Sequence, residues 1–145
     1  MWGNALETHL HPLCLLQNKI IRIINFAHYK ASANPIYIQL DILPFYKVII
    51  QRVAIVMYKF THNMLPEAMS ELYCKNNEIH TYNTRQTALL HVPSGTHTRN
   101  FCYRSVLIWN ELTSRGVDHN VSLLIYKRKL KSFLQNNHLN IGYSA

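Results

Sequence analysis

PFYKVIIQRVAIVMYKFTHN, running from Pro44 to Asn63, is the stretch whose reading decides the fold. Wound as a helix, it places Phe45, Ile49, Val53, Val56, Met57 and Phe60 on one side, and Val48 and Ile55 widen that arc. Lys47, Gln51 and Tyr58 form a narrow polar strip. Arg52 and Lys59 interrupt the arc and must snorkel or find partners. A helix that is apolar nearly all round is wrapped by other helices. The stretch therefore predicts the central helix of a mainly α, single multi-helix domain. Pro44 suits its first turn, where a missing N–H costs nothing.

The chain on either side supplies the wrapping. Upstream, residues 4–11 read as a short amphipathic turn with Leu6 and Leu10 inward. Pro12 then opens a helix to about Ala27, whose inward stripe is Leu13, Leu16, Ile20, Ile23 or Ile24, and Ala27. Asn34-Pro35 starts a short helix to Leu40, with Asn34 as its cap. Downstream, Leu65-Pro66 restarts the chain into a helix ending near Tyr73, and a polar loop follows from Cys74 to Thr81. Ala88, Leu90 and Val92 alternate over 87–92, which leaves room for one short strand or hairpin before the Pro93-Ser94-Gly95 turn. From Arg99 to Leu112, the residues Phe101, Ser105, Ile108 and Leu112 share a helical face, with Trp109 beside them, and Gly116 ends the unit. Ser122 caps a last helix with Leu123, Tyr126, Leu130, Phe133 and Leu134 inward. The helical domain covers 1–135, and the tail 136–145 has few anchors and is expected to fray.

The chain has 145 residues, enough for one domain with a core of its own. Only 15 % are charged, which leaves neutral or apolar surface exposed. The net charge of +8 favours a polyanionic partner. Lys127, Arg128, Lys129 and Lys131 concentrate it on the last helix, and such a run is either a solvated face or a phosphate-binding one. Cys14, Cys74 and Cys102 are scattered, odd in number and without a C-x-x-C pair. That argues against a disulfide framework and for reduced thiols in an intracellular setting. No apolar run is long enough to cross a membrane, and Met1 leads into polar and acidic residues rather than a secretory leader, so no membrane partner is expected.

Catalytic signatures are missing. His9-x-His11 has no cysteine or carboxylate at ligand spacing, so neither a metal nor a cofactor is expected. No G-x-S-x-G elbow and no glycine-rich phosphate loop occur. Asp41 and Asp118 are the only aspartates. They stand in separate segments and cannot form the paired carboxylates that hold two metal ions. No enzymatic activity is expected of this chain.

Eight short segments carry a resemblance. They are Leu10-His11-Pro12-Leu13, Gln17 to Ile24 (QNKIIRII), Asn34-Pro35-Ile36-Tyr37, Leu40-Asp41-Ile42-Leu43, Met57-Tyr58-Lys59, Leu65-Pro66, Tyr82-Asn83-Thr84-Arg85, and Ile108 to Leu112 (IWNEL). In this order and spacing the chain resembles the C-terminal, post-palm region of non-LTR (LINE-type) retrotransposon reverse transcriptases. The resemblance spans nearly the whole chain. It implies a fragment or degenerate copy of an RNA-directed DNA polymerase that lacks the catalytic palm. Such a fragment would bind RNA or DNA weakly and without sequence preference, or dock on the missing polymerase part or on itself. A remnant without function is the third reading.

Arg85, Lys127, Arg128, Lys129 and Lys131 are the candidate phosphate contacts, while Tyr82, Asn83, Thr84, Trp109 and Asn110 are motif residues with structural roles. Two departures from the family pattern are expected to relax the turn there. Thr113 replaces a usual proline after the W-N-x-L motif, and Ser105-Val106 stands where a Gly-Pro-like pair often precedes the tryptophan.

Overall fold

A computed structural model of the chain describes residues 7–74, 76, 90–92 and 101–137. Among these are five α-helices: α1 (Glu7–Ile24), α2 (Ala33–Gln39), α3 (Phe45–Thr61), α4 (Phe101–Ser114) and α5 (Leu123–Asn136). A 3-10 helix, Glu67–Leu72, lies between α3 and α4. The domain is mainly α, with no strand among the described residues. The possible strand at 87–92 is reduced, where described, to a one-residue bridge at Leu90, with His91 N–H donating to the Cys74 carbonyl at 2.9 Å.

Helix α3 is central, as its apolar circumference requires. It packs against α4, α5 and α1, while α2 packs on α1. Tyr46, Ile50, Val53, Ala54, Met57 and Tyr58 are its buried residues, and Ala54 and Met57 are wholly inaccessible. Arg52 is the one exposed residue of the helix. Pro44 is the N-cap rather than a first-turn residue. Two assignments within α3 change. Tyr58, placed in the polar strip, is buried. Its hydroxyl donates to the Val121 carbonyl, and its ring stacks on Tyr126 with centroids 4.6 Å apart. A tyrosine is polar only at its tip, and one carbonyl satisfies that tip. Val56, placed in the core arc, is half-buried and lies outside the core cluster.

The N-terminal region departs further. A single helix runs straight through Pro12 instead of starting there. The proline removes the bond that an N–H at this position would make to the Thr8 carbonyl, one missing bond in an 18-residue helix. Leu10 is buried as expected. The stripe Leu13, Leu16, Ile20 and Ile23 or Ile24, however, points to solvent. The inward face is instead Leu10, Cys14, Gln17, Asn18 and Ile21, held by polar bonds: Gln17 Nε2 to the Leu43 carbonyl (3.1 Å) and Tyr37 Oη to Asn18 Oδ1 (2.8 Å). Ile21 joins Ala33, Ile36 and Tyr37 in a small second core shared with α2. Helix α2 itself starts two residues early, with Ser32 rather than Asn34 at the N-cap.

Helix α4 is continuous through Ser105, Val106 and Thr113, so the turn expected to be relaxed at these positions is instead regular helix. Ser105 and Val106 are fully buried, and the serine hydroxyl is paired with Tyr73 Oη (2.9 Å) and donates to the Cys102 carbonyl (3.0 Å). Gly116, at φ +75°, turns the chain after α4 in the left-handed conformation that glycine adopts without a Cβ penalty. Ser122 occupies the N-cap of α5, but its side chain makes no capping bond. The inward stripe of α5 is as expected, with Tyr126, Leu130 and Leu134 buried. Residues 138–145 of the expected frayed tail lie outside the described residues.

Candidate functional site

The outer side of α5 carries the basic run. Lys127 and Arg128 are exposed and form no ion pair among the described residues. The other two cations are engaged. Lys129 Nζ lies 3.0 Å from Asp118 Oδ2, and Lys131 Nζ lies 2.5 Å from Asp41 Oδ2. Gln135 Nε2 donates to the second Asp41 oxygen at 2.8 Å. These bonds hold both carboxyls below their ordinary range. The Lys131 and then the Gln135 hydrogen bond act on Asp41, and the Lys129 bond followed by the Asn120 backbone N–H acts on Asp118. Leu124 and Ile125, both exposed, interrupt the positive face at its N-terminal end. The face is therefore a two-cation site with two neutralised lysines beside it.

Asp41 and Asp118 are bonded to different lysines of α5, Lys131 and Lys129. Among the described residues, no group of three or more His, Cys, Asp or Glu side chains could hold a metal ion, and no helix is long and apolar enough to cross a membrane. A cavity of about 300 Å³ opens between α1, α2, α3 and α5, lined in part by His11, Cys14, Tyr37 and Lys47. Tyr37, Asn18 and Lys47 on its wall serve the fold. Burial raises the Cys14 thiol and pushes the Tyr37 hydroxyl up to about 12, and the Lys47 ammonium, lowered by burial, donates to the Gln135 carbonyl at 3.3 Å. A thiol raised by burial is a poor nucleophile.

Trp109 is a core residue, with its indole 5.4 Å from His119 and 6.3 Å from Tyr126 between ring centroids. Asn110 receives the Leu90 N–H on Oδ1 (3.1 Å) and donates from Nδ2 to the Leu90 carbonyl (2.9 Å). Tyr82, Asn83, Thr84 and Arg85 lie outside the described residues, so Arg85 is not placed relative to α5.

The outer face of α1 is the feature that the sequence reading assigned to the core. Leu13, Leu16, Ile20, Ile23 and Ile24 are all exposed, and Phe26, just past the helix end, is 97 % exposed. Phe26 also sits at φ +51°, a left-handed conformation that costs a non-glycine residue roughly 1 kcal/mol or more.

No protein-family model matches the chain, and no curated protein or solved structure gives a significant match.

Proposed function

We propose that the chain is a non-catalytic helical region of the kind that follows the palm in non-LTR reverse transcriptases, and that it holds RNA or DNA weakly and without sequence preference. The order and spacing of the eight sequence segments support the family. The observation that carries the binding role is the adjacent, exposed Lys127 and Arg128 on α5, which form no ion pair among the described residues. Two cations on a convex helix suit phosphate oxygens rather than base edges, since a phosphate contact needs charge and reach but no fixed donor pattern. Affinity should fall in the range of about 10⁻⁴ to 10⁻⁶ M at physiological salt, typical of non-specific contact. Fluorescence anisotropy with labelled oligonucleotides of unrelated sequence tests the proposal. Equal binding to all of them that weakens as salt rises supports it, and no binding at low salt removes it.

A second reading, a helical protein-interaction module, is favoured by a separate observation. The outer stripe of α1 leaves five large aliphatic side chains in water. On a monomer the largest apolar patch is normally about 300–600 Å² and is often functional. The two readings use different helices and are compatible.

A further inference from the structure

We infer that the outer stripe of α1 is the contact surface for a second copy of this chain. The inference rests on the interaction-module reading and names its partner.

The spacing comes first. Leu13, Leu16, Ile20 and Ile23 follow each other at intervals of three, four and three residues, the a/d pattern by which two helices interlock side chains. Ile24 widens the seam, and the exposed Phe26 follows two residues past the helix end. An isolated helix of this length would be marginal in water. Here α1 is already held by Leu10, Cys14, Gln17, Asn18 and Ile21 on its other side, so the seam is presented preformed.

Area comes second. From their fractional exposures, these six residues offer at most on the order of 700 Å² of accessible surface, most of it apolar, against the roughly 800 Å² that each partner contributes to a standard-size interface. Two copies meeting face to face would bury an area inside that class.

Charge selects the partner. The seam positions carry no charge of either sign; of the two cations in this stretch, Lys19 flanks the seam and Arg22 donates to the Ala31 carbonyl at 2.7 Å. A charged partner helix would find nothing to pair with, whereas a second neutral seam leaves no polar group stranded. The net charge of +8 on each chain opposes the encounter through long-range repulsion. Added salt screens that repulsion and leaves the apolar contact intact. Self-association should therefore strengthen as salt rises, opposite in sign to nucleic-acid binding.

The test is the solution mass of the full chain by sedimentation velocity, from about 1 to 100 μM, where modest interfaces of this area associate, at low and high salt. The expected result is a shift toward twice the 17.0 kDa chain mass with concentration, favoured by salt. Leu16→Glu with Ile20→Glu should weaken the dimer by about 30-fold or more, as loss of central interface residues does, while helical content by circular dichroism stays unchanged. If that pair fails to fold, Leu13→Gln with Ile23→Gln serves in its place. A wild-type chain that stays monomeric throughout, one that grows without limit past the dimer, or a dimer indifferent to a folded variant pair overturns the inference. Binding of an apolar fluorescent dye separates the two levels. A monomer whose dye binding is lost in the variants keeps the open apolar face but not the second copy, whereas a monomer with unchanged dye binding loses both.

Discussion

Asn110 holds Leu90 at both ends of one amide: the Leu90 N–H donates to Oδ1 at 3.1 Å, and Nδ2 donates to the Leu90 carbonyl at 2.9 Å. The side chain thus does for Leu90 what a neighbouring strand would do, giving both of its backbone polar groups a partner. Leu90 is buried, and its contact with α4 ties the chain before the helix to the helix that carries Trp109. The asparagine next to the tryptophan therefore has a structural reason to be there.

Asn110→Ala removes both bonds and leaves a buried residue with an unpaired N–H and carbonyl. The expected loss is about 1–3 kcal/mol, the cost of stranding buried backbone groups. Asn110→Asp keeps the acceptor but turns the donor into a second acceptor facing a carbonyl, so it should not restore stability. Urea melts of the three proteins check this, and midpoints that coincide would mean that the clamp contributes nothing.

Centrality of α3 is tested at Ala54, which is wholly inaccessible. Ala54→Leu has no space to fill and should destabilise by about 1–3 kcal/mol through overpacking. Arg52→Ala, at the exposed position of the same helix, should change stability by less than about 0.5 kcal/mol. Thermal melts showing equal effects at the two sites would contradict the packing.

How legible this was in the sequence depended on the kind of signal. The stripes of α4 and α5 are readable because each buries its most apolar face, whereas the face α3 buries most deeply, Tyr46, Ile50, Val53, Ala54, Met57 and Tyr58, shares only Val53 and Met57 with the arc that its sequence suggests. Helix α1 misled because its most apolar face, Leu13 to Ile24, lies outward, and the buried face includes Gln17 and Asn18. Periodicity identifies an amphipathic helix but not what covers it. On α5 the cations were readable, but their neutralisation was not. Lys131 meets Asp41 across 90 positions of sequence, and no local pattern encodes that. Tyr58 was misplaced because its hydroxyl made it count as polar.

The carboxyls of Asp41 and Asp118 are lowered from an ordinary 3.8, so their contribution to stability is present above that value and disappears as pH falls through the lower folded values. Wild type and Asp41→Asn/Asp118→Asn should differ slightly in stability at neutral pH and converge in strong acid. The same variant releases Lys129 and Lys131, so at pH 7 it should bind oligonucleotides more tightly than wild type and steepen the salt dependence by up to about 2 in log–log slope. An unchanged slope would mean that the ion pairs do not restrain these lysines.

Primer extension by the purified chain with magnesium should give no product, since its two aspartates, Asp41 and Asp118, stand in separate segments and form no carboxylate pair in the sequence. Extension that Asp41→Ala abolishes would contradict the non-catalytic assignment.

The most direct measurement of the central claim compares two double variants by anisotropy across a salt series. Lys127→Gln/Arg128→Gln removes the unpaired cations, and Lys129→Gln/Lys131→Gln removes the paired ones. Glutamine keeps helix propensity, and the buried stripe of α5 is untouched in both. The account predicts that the first pair weakens binding equally for all sequences and flattens the log–log salt slope by about 2, one for each phosphate no longer neutralised, with a smaller change for the second pair. A wild-type slope retained by the Lys127/Arg128 variant would contradict it, leaving the basic run of α5 as a solvated face.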